Sequence, residues 1–494
     1  MPTVSLVKPD AALSADVVLV ATVSTPDGIA LVDGGELVDA ALDGRLLAAL
    51  RALDATGRED EVVRIPTLGQ ARFALVVASG TGKGDPTRVE AEPIRRAVGA
   101  ALRTLNSARR VGVCVRSAIG EAATVEAISD GALLGAYRFT RFKSSATTPV
   151  LRRVEIAATA DTAGRAALRR SKIVTTAVNN TRDLVNTPAN HLNPVSFADY
   201  AKQQATAAGI AVEVLDERAL RRGGFGGILA VGAGSATPPR LVRLSYRPAR
   251  AKASVALVGK GITFDTGGLD LKSAMMAQMK SDMGGAAAVI EATLAAAALK
   301  LPVAVTATVP MAENAVSGTS YRPSDILTMR DGRSVEVDNT DAEGRLILAD
   351  AMLRAGEDDP DYLIETSTLT GGQLVALGVH TAGAMGSDEF RDRVVGAGNA
   401  AGESLWPMPL PSYLRASLDT PVADIVNLPK DRWASMLVAG VFLSDFVAEG
   451  LPWVHLDIAG PSFANAPTGY THKGGTGSIV RTIVAALDDI ATNG

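Results

Sequence analysis

One cysteine and four histidines are all that 494 residues offer of the softer metal ligands. A lone Cys114 cannot close an internal disulfide, and its apolar run Val111-Gly112-Val113-Cys114-Val115 reads as a buried strand. His191, His380, His455 and His472 are scattered without ligand spacing, so a histidine-based zinc site has little support and each reads as structural. Aromatic residues are scarce at 4%, which leaves the core to Ala, Val and Leu. There is no uninterrupted run of about 18 apolar residues and no basic-then-apolar leader. No membrane partner is therefore expected, and the expected compartment is the cytoplasm. Charge of one sign is lacking as well: a net −4 supplies no polybasic field and argues against a nucleic-acid partner.

What is present is an ordinary globular composition, 47% apolar and 21% charged, long enough for two or three domains. Apolar runs alternate with helical stretches. Val17 to Val20, Phe73 to Val77 and the Cys114 run read as strands, and Leu37 to Leu53, Ile94 to Leu105 and Gly131 to Ala136 as helix. This pattern predicts a small N-terminal α/β domain over residues 1–165, closed by a polar stretch, Arg141 to Thr148, and a short apolar run. A long helix from about Arg165 to Leu184 opens the second domain, residues 166–494. There Val212 to Val214, Gly227 to Val231, Leu241 to Leu244, Ser254 to Val258, Val303 to Val309 and Tyr362 to Ile364 read as strands. Helices are expected at Gly284 to Leu299, Ala342 to Arg354 and Leu437 to Phe446. The expected architecture is a mixed, mostly parallel sheet with helices on both faces, and sites in such sheets sit at the carboxyl ends of strands.

The glycine-rich segment Gly259 to Gly268 leaves the Ser254 strand and carries Lys260 and Asp265. No Gly-Lys-Ser/Thr opens a helix there, which a phosphate loop requires, and alone the segment reads as a turn. Asp282 stands before one predicted helix, and Asn339-Thr340-Asp341-Ala342-Glu343-Gly344-Arg345 opens another. A single aspartate at such a place is ordinarily a helix cap. Asp341 and Glu343, two apart beside a glycine, are odd for capping and suit a cation that wants clustered oxygens.

On these segments the sequence resembles the leucyl aminopeptidase family of two-metal peptidases. The stretches that carry the resemblance are Asp183 to Asn190, Val258 to Gly268, Asp282 to Ala287, Asn339 to Leu346, Thr368 to Gly371, Trp453 to Gly460 and Gly474 to Thr482. The resemblance covers roughly residues 170 to 490; the first 165 residues are similar in arrangement only. It implies that Lys260, Asp265, Asp282, Asp341 and Glu343 ligate two divalent ions, Mn²⁺ or Zn²⁺ with Mg²⁺ as a further candidate, and that Asp265 and Glu343 bridge them. It further implies that Lys272 polarises the scissile carbonyl and that Arg345 holds a bicarbonate acting as general base. The implied substrates are peptides with a free N-terminus, and the implied assembly is a homohexamer.

Two stretches depart from the family pattern. Lys272 to Asp282 is one residue short, with Asp270 where a smaller polar residue is usual, and Ser435-Met436-Leu437-Val438-Ala439-Gly440 replaces a Gly-Ser-Ile-Thr-Ala-Ala pattern. Both line the side-chain pocket in relatives. Met279, Thr368 and Leu369 are the candidate pocket residues, although Met279 also reads as a core methionine. Two rival readings stand beside the peptidase. One is a DNA-binding or regulatory protein on a peptidase fold, using Arg152-Arg153, Arg169-Arg170-Ser171-Lys172 and Arg221-Arg222. The other is a hydrolase of dipeptides or conjugates.

Overall fold

A computed structural model describes residues 1–105, 108–145 and 150–494, so the end of the polar stretch at 146–148 lies outside the described residues. The chain divides into two compact units, Met1–Asn179 with Asn465–Lys473, and Asn180–Ala464 with Gly474–Gly494. The division falls inside the helix Thr162–Asn186.

The first unit is built on β1 (Thr3–Val7), β2 (Val17–Thr25), β3 (Gly28–Leu31), β4 (Val62–Pro66), β5 (Leu75–Lys83), β6 (Arg110–Cys114) and β7 (Arg153–Ala157). Their order is β1-β7-β6-β2-β5-β4, parallel except for β4 at one edge and β3, which pairs with β2. β2 shows why this sheet is buried on both faces: Val17, Leu19 and Ala21 enter one core, and Val18 and Val20 enter the other. Cys114 lies in the second core, and burial pushes its thiol up to about 12, so it is inert packing. The predicted helix over Leu37 to Leu53 is two helices, Gly35–Ala40 and Leu46–Ala52. Asp43 (φ 54°) and Gly44 (φ 74°) turn the chain between them, a left-handed step that a continuous helix cannot contain.

The second unit contains β8 (Ala211–Leu215), β9 (Arg240–Tyr246), β10 (Ser254–Gly259), β11 (Gly261–Asp265) and β12 (Ala304–Asn314). A short ribbon, β13 (Ile326–Thr328) and β14 (Ser334–Glu336), precedes β15 (Tyr362–Ser367), β16 (Thr381–Gly386), β17 (Ser404–Pro407), β18 (Ile425–Val426) and β19 (Trp453–Asp457). The main sheet runs β17-β16-β19-β15-β10-β12-β9-β8, with β11 on β12. Its centre, β19-β15-β10-β12, is parallel, and antiparallel partners join it at β16 and β9. Helices cover both faces. Ala256 and Val258 of β10 share a core with Leu346 and Ile347 of the helix Gly344–Gly356. Gly259, on the opposite face, lies against the helix Gly284–Leu299 so closely that a Cβ would come 2.6 Å from the Gly285 carbonyl oxygen. Apart from Glu291 and Thr293 that helix is apolar on every face, as one packed against a sheet deep in the unit must be.

The run Gly227 to Val231, predicted as a strand, is the helix Gly226–Gly232. Its Ile228 N–H donates to Asp350 Oδ2 at 3.0 Å, so a carboxylate from the helix Gly344–Gly356 satisfies an otherwise free donor at its start. A five-residue apolar run has no period long enough to tell the two structures apart.

Candidate metal and catalytic site

Four parallel strands of the second unit end in the residues that form one buried polar cluster. Lys260 follows β10, Asn314 ends β12, Thr368 follows β15 and Asp457 ends β19, while Asp265 ends the short β11. At a strand's end the ladder releases its side chains and backbone groups together, which is why chemistry collects there.

Lys260 Nζ lies 2.8 Å from Asp282 Oδ1 and Oδ2 and 2.7 Å from Glu343 Oε1, with all three residues buried. Asp265, Asp282 and Glu343 bring carboxylate oxygens within 4.8 Å of one another. Lys272 Nζ lies 2.7 Å from Asp265 Oδ2 and also contacts Asp341, which sits at the rim. The structure thus gathers six of the residues singled out from sequence: Lys260, Asp265, Lys272, Asp282, Asp341 and Glu343.

Glycines make the approach possible. Gly267 (φ 88°) and Gly268 (φ 66°) are left-handed and turn the chain after Asp265, and the Lys272 N–H then bonds Thr266 O at 2.9 Å. Gly344 lets Lys260 pass: a Cβ there would come 2.4 Å from Lys260 Cε. Asp270, unusual in sequence, has a local reason. Its Oδ2 accepts from Thr340 N at 2.7 Å and Thr340 Oγ1 at 3.0 Å, pinning the Lys272 loop to the Asn339–Glu343 segment.

The electrostatics follow from burial against charge. Burial alone would lower the Lys260 ammonium, but Asp282, Glu343 and Asp265 hold it above its ordinary range. Burial and then Glu343 push the Asp265 carboxyl up to about 6, and burial raises Asp282 well above its usual value. Glu343 goes the other way: burial would raise it, yet Lys260 and Lys272 hold it down. Asp282 Oδ2 and Glu343 Oε1 are buried with the positive charge of Lys260 as their close partner, at 2.8 and 2.7 Å. Oxygens left in that state suit a cation.

Arg345, 4% exposed, is buried within electrostatic reach of Glu343 and Asp457. Its guanidinium donates to Asn427 O at 2.6 Å, and Nε has no partner among the described residues. Burial lowers it to about 10, so it remains a cation at neutral pH. Thr368 Oγ1 donates to Asp282 Oδ1 at 2.6 Å, and Met279 O accepts the Asp282 N–H at 3.2 Å. Leu369, half-buried, bonds Asp457 Oδ1 through its N–H at 3.2 Å.

Sequence reasoning passed over Asn314, Asn427 and Asp457. Asn314 Nδ2 donates to Asp265 Oδ1 at 2.9 Å and to Thr340 O at 3.0 Å, linking the two ligand-bearing segments. Asn427 spans Asp338, Asn339 and Arg345. Both are single polar residues with no local pattern; only their zero exposure marks them. His455 is structural, as expected, paired in the core with Glu365.

Known proteins resemble this chain over nearly its whole length. Residues 179–484 match the model of the cytosol aminopeptidase family's catalytic domain, and residues 17–146 match that of its N-terminal domain. A Rhodococcus opacus (strain B4) protein named "Probable cytosol aminopeptidase" is 49% identical over 97% of this chain and 95% of its own length. A Mycobacterium tuberculosis (strain ATCC 25177 / H37Ra) protein of the same name is 49% identical over 98% and 96%. Among solved structures, the bottromycin maturation enzyme BotP in complex with Mn matches with a TM-score of 0.85 and 35% identity, covering 97% of this chain and 100% of that one. A tomato leucine aminopeptidase mutant matches with a TM-score of 0.87 and 30% identity, covering 99% and 96%.

Proposed function

This chain belongs to the cytosol aminopeptidase family and is a metal-dependent aminopeptidase, and from that premise we propose how its residues divide the work. Lys260, Asp265, Asp282, Asp341 and Glu343 would hold two divalent ions. The observation that carries this reading is the gathering of buried carboxylate oxygens from Asp265, Asp282 and Glu343 within 4.8 Å of one another, with the Lys260 ammonium against two of them. Four carboxylates against two dications leave a neutral cluster. The donors suit Mn²⁺, Zn²⁺ or Mg²⁺. When bound, such ions acidify a water and polarise the peptide carbonyl.

The chain's own groups do the rest. Lys260 would give up its ammonium proton to serve as a ligand. Lys272, on a loop pinned by Asp270, turns from Asp265 to the scissile carbonyl oxygen and stabilises the charge that develops there. Arg345 offers a planar, buried cation whose Nε–H has no partner among the described residues, and it would hold a planar anion such as bicarbonate, which would supply a general base. Met279, Thr368 and Leu369 line the pocket for the N-terminal side chain, with leucine-type and broad preference. Residues 166–494 carry the chemistry, residues 1–165 serve assembly or regulation, and the enzyme works on free N-termini as a homohexamer in the cytoplasm. The family's pattern supports these last assignments.

The test is an aminoacyl p-nitroanilide panel with metal-stripped protein refilled with Mn²⁺ or Zn²⁺. Release should return with metal, rank the side chains and vanish in Glu343→Ala. No release with either metal would sink this assignment of the site.

A further inference from the structure

We propose that Asp457 is a positioning residue, which holds the loop Thr368–Thr370 so that Thr368 fixes Asp282 and Lys260. The inference rests on reading those two as metal ligands. Asp457 ends β19 and is fully buried, a costly place for a carboxylate unless both its oxygens are used. They are. Oδ1 accepts from Leu369 N and Ala459 N, both at 3.2 Å, and Oδ2 accepts from Thr370 Oγ1 at 2.6 Å. The two amide bonds are long, so the short bond from the hydroxyl is the strong one.

That hydroxyl has no freedom. Thr370 Oγ1 accepts the Gln373 N–H at 3.0 Å, capping the helix Gly371–Leu377, so its single proton is committed to Asp457. Two residues earlier in the same loop, Thr368 turns both of its groups to the site: Oγ1 donates to Asp282 Oδ1 at 2.6 Å, and its carbonyl accepts from Lys260 Nζ at 3.2 Å. A three-residue span anchored at one end on a strand terminus and at the other on two proposed ligands transmits any shift of Asp457 to those ligands. A carboxylate that merely finished β19 would need neither Thr370 nor Thr368 in these roles.

The test compares Asp457→Asn, which keeps the volume and removes one acceptor, with Thr370→Val, Thr370→Ser and the double variant Asp457→Asn/Thr370→Val. Each is measured by thermal melting, by calorimetric Mn²⁺ titration of stripped protein, and by kcat and KM on leucine p-nitroanilide. Asp457→Asn and Thr370→Val should each lose about 10- to 100-fold in Mn²⁺ affinity and kcat. Thr370→Ser should restore both, and the double variant should be no worse than Asp457→Asn alone. Should Asp457→Asn fail to fold, the Val and Ser pair at Thr370 carries the comparison. Lower melting with unchanged Mn²⁺ affinity and kcat, or losses that multiply in the double variant, would overturn the proposal. Wild type and Glu343→Ala run alongside: equal Mn²⁺ binding by these two would indict the ligand assignment instead.

Discussion

Lys272 Nζ lies 2.7 Å from Asp265 Oδ2 and also contacts Asp341, so a half-buried cation is held on two of the carboxylates proposed to take metal. Burial would lower its ammonium, but Asp265 and Glu343 hold it above its ordinary range, and it stays charged. Its attraction to the acidic cluster and its proposed role on the substrate carbonyl therefore compete until metal neutralises the carboxylates.

Lys272→Ala should accordingly separate binding from chemistry. Removing it relieves no ligand, so Mn²⁺ stoichiometry on calorimetry should hold, while kcat should fall by about 10²–10³. A loss of metal binding equal to that of Glu343→Ala would make Lys272 structural.

Metal affinity should depend steeply on pH. Asp265, raised to about 6, Asp282, raised well above its usual value, and the Lys260 ammonium all carry protons that a cation must displace. Affinity should weaken as pH falls through about 6, and loading at that pH should release protons, read from titration heats in two buffers of different ionisation enthalpy. Identical heats in the two buffers would contradict this. The sign for the stripped protein is opposite: with its folded pKa above the unfolded value, Asp265 contributes its stability below about pH 4 and loses it as pH rises through about 6.

Two glycines of the site should fail in different ways. A Cβ on Gly285 would lie 2.1 Å from the Thr366 carbonyl oxygen, a backbone atom held in β15, so Gly285→Ala should cost about 2 kcal/mol or more of stability. A Cβ on Gly344 would meet Lys260 Cε at 2.4 Å, and that side chain can move. Gly344→Ala should melt within a few degrees of wild type yet lose at least about tenfold in Mn²⁺ affinity by displacing Lys260. Thermal melts beside metal titrations check both.

Away from the site, Glu291 in the helix Gly284–Leu299 accepts from Tyr200 Oη at 2.6 Å and Asn180 Nδ2 at 2.9 Å, and burial pushes it up to about 7. Its contribution to stability is therefore full below about pH 4.5 and lost as pH rises through about 7. Between pH 5 and 8 wild type should lose about 1–3 kcal/mol that Glu291→Gln does not, seen in paired chemical melts. Parallel curves for the two proteins would rule Glu291 out as the titrating group.

Much of this molecule is written locally. The strand at Ser254 to Val258, the helix Gly284–Leu299 and the Asn339 to Arg345 segment are recognisable because their periodicity, glycines and acidic pairs are short-range patterns. Where a pattern is too short the reading fails, as at Gly226–Gly232, whose helix is stabilised by Asp350 from a distant part of the chain.

The order of residues settles the fold class, the apolar faces of the strands and the oxygen-rich character of the site, because each depends on neighbours a few positions apart. Tertiary structure alone decides which carboxylates share a buried volume, that Asn314 joins Asp265 to Thr340, and that Asp457 grips the loop beside Asp282. Those contacts join residues 26 to 88 positions apart. They exist only because parallel strands, remote in sequence, bring their carboxyl ends to one edge of one sheet.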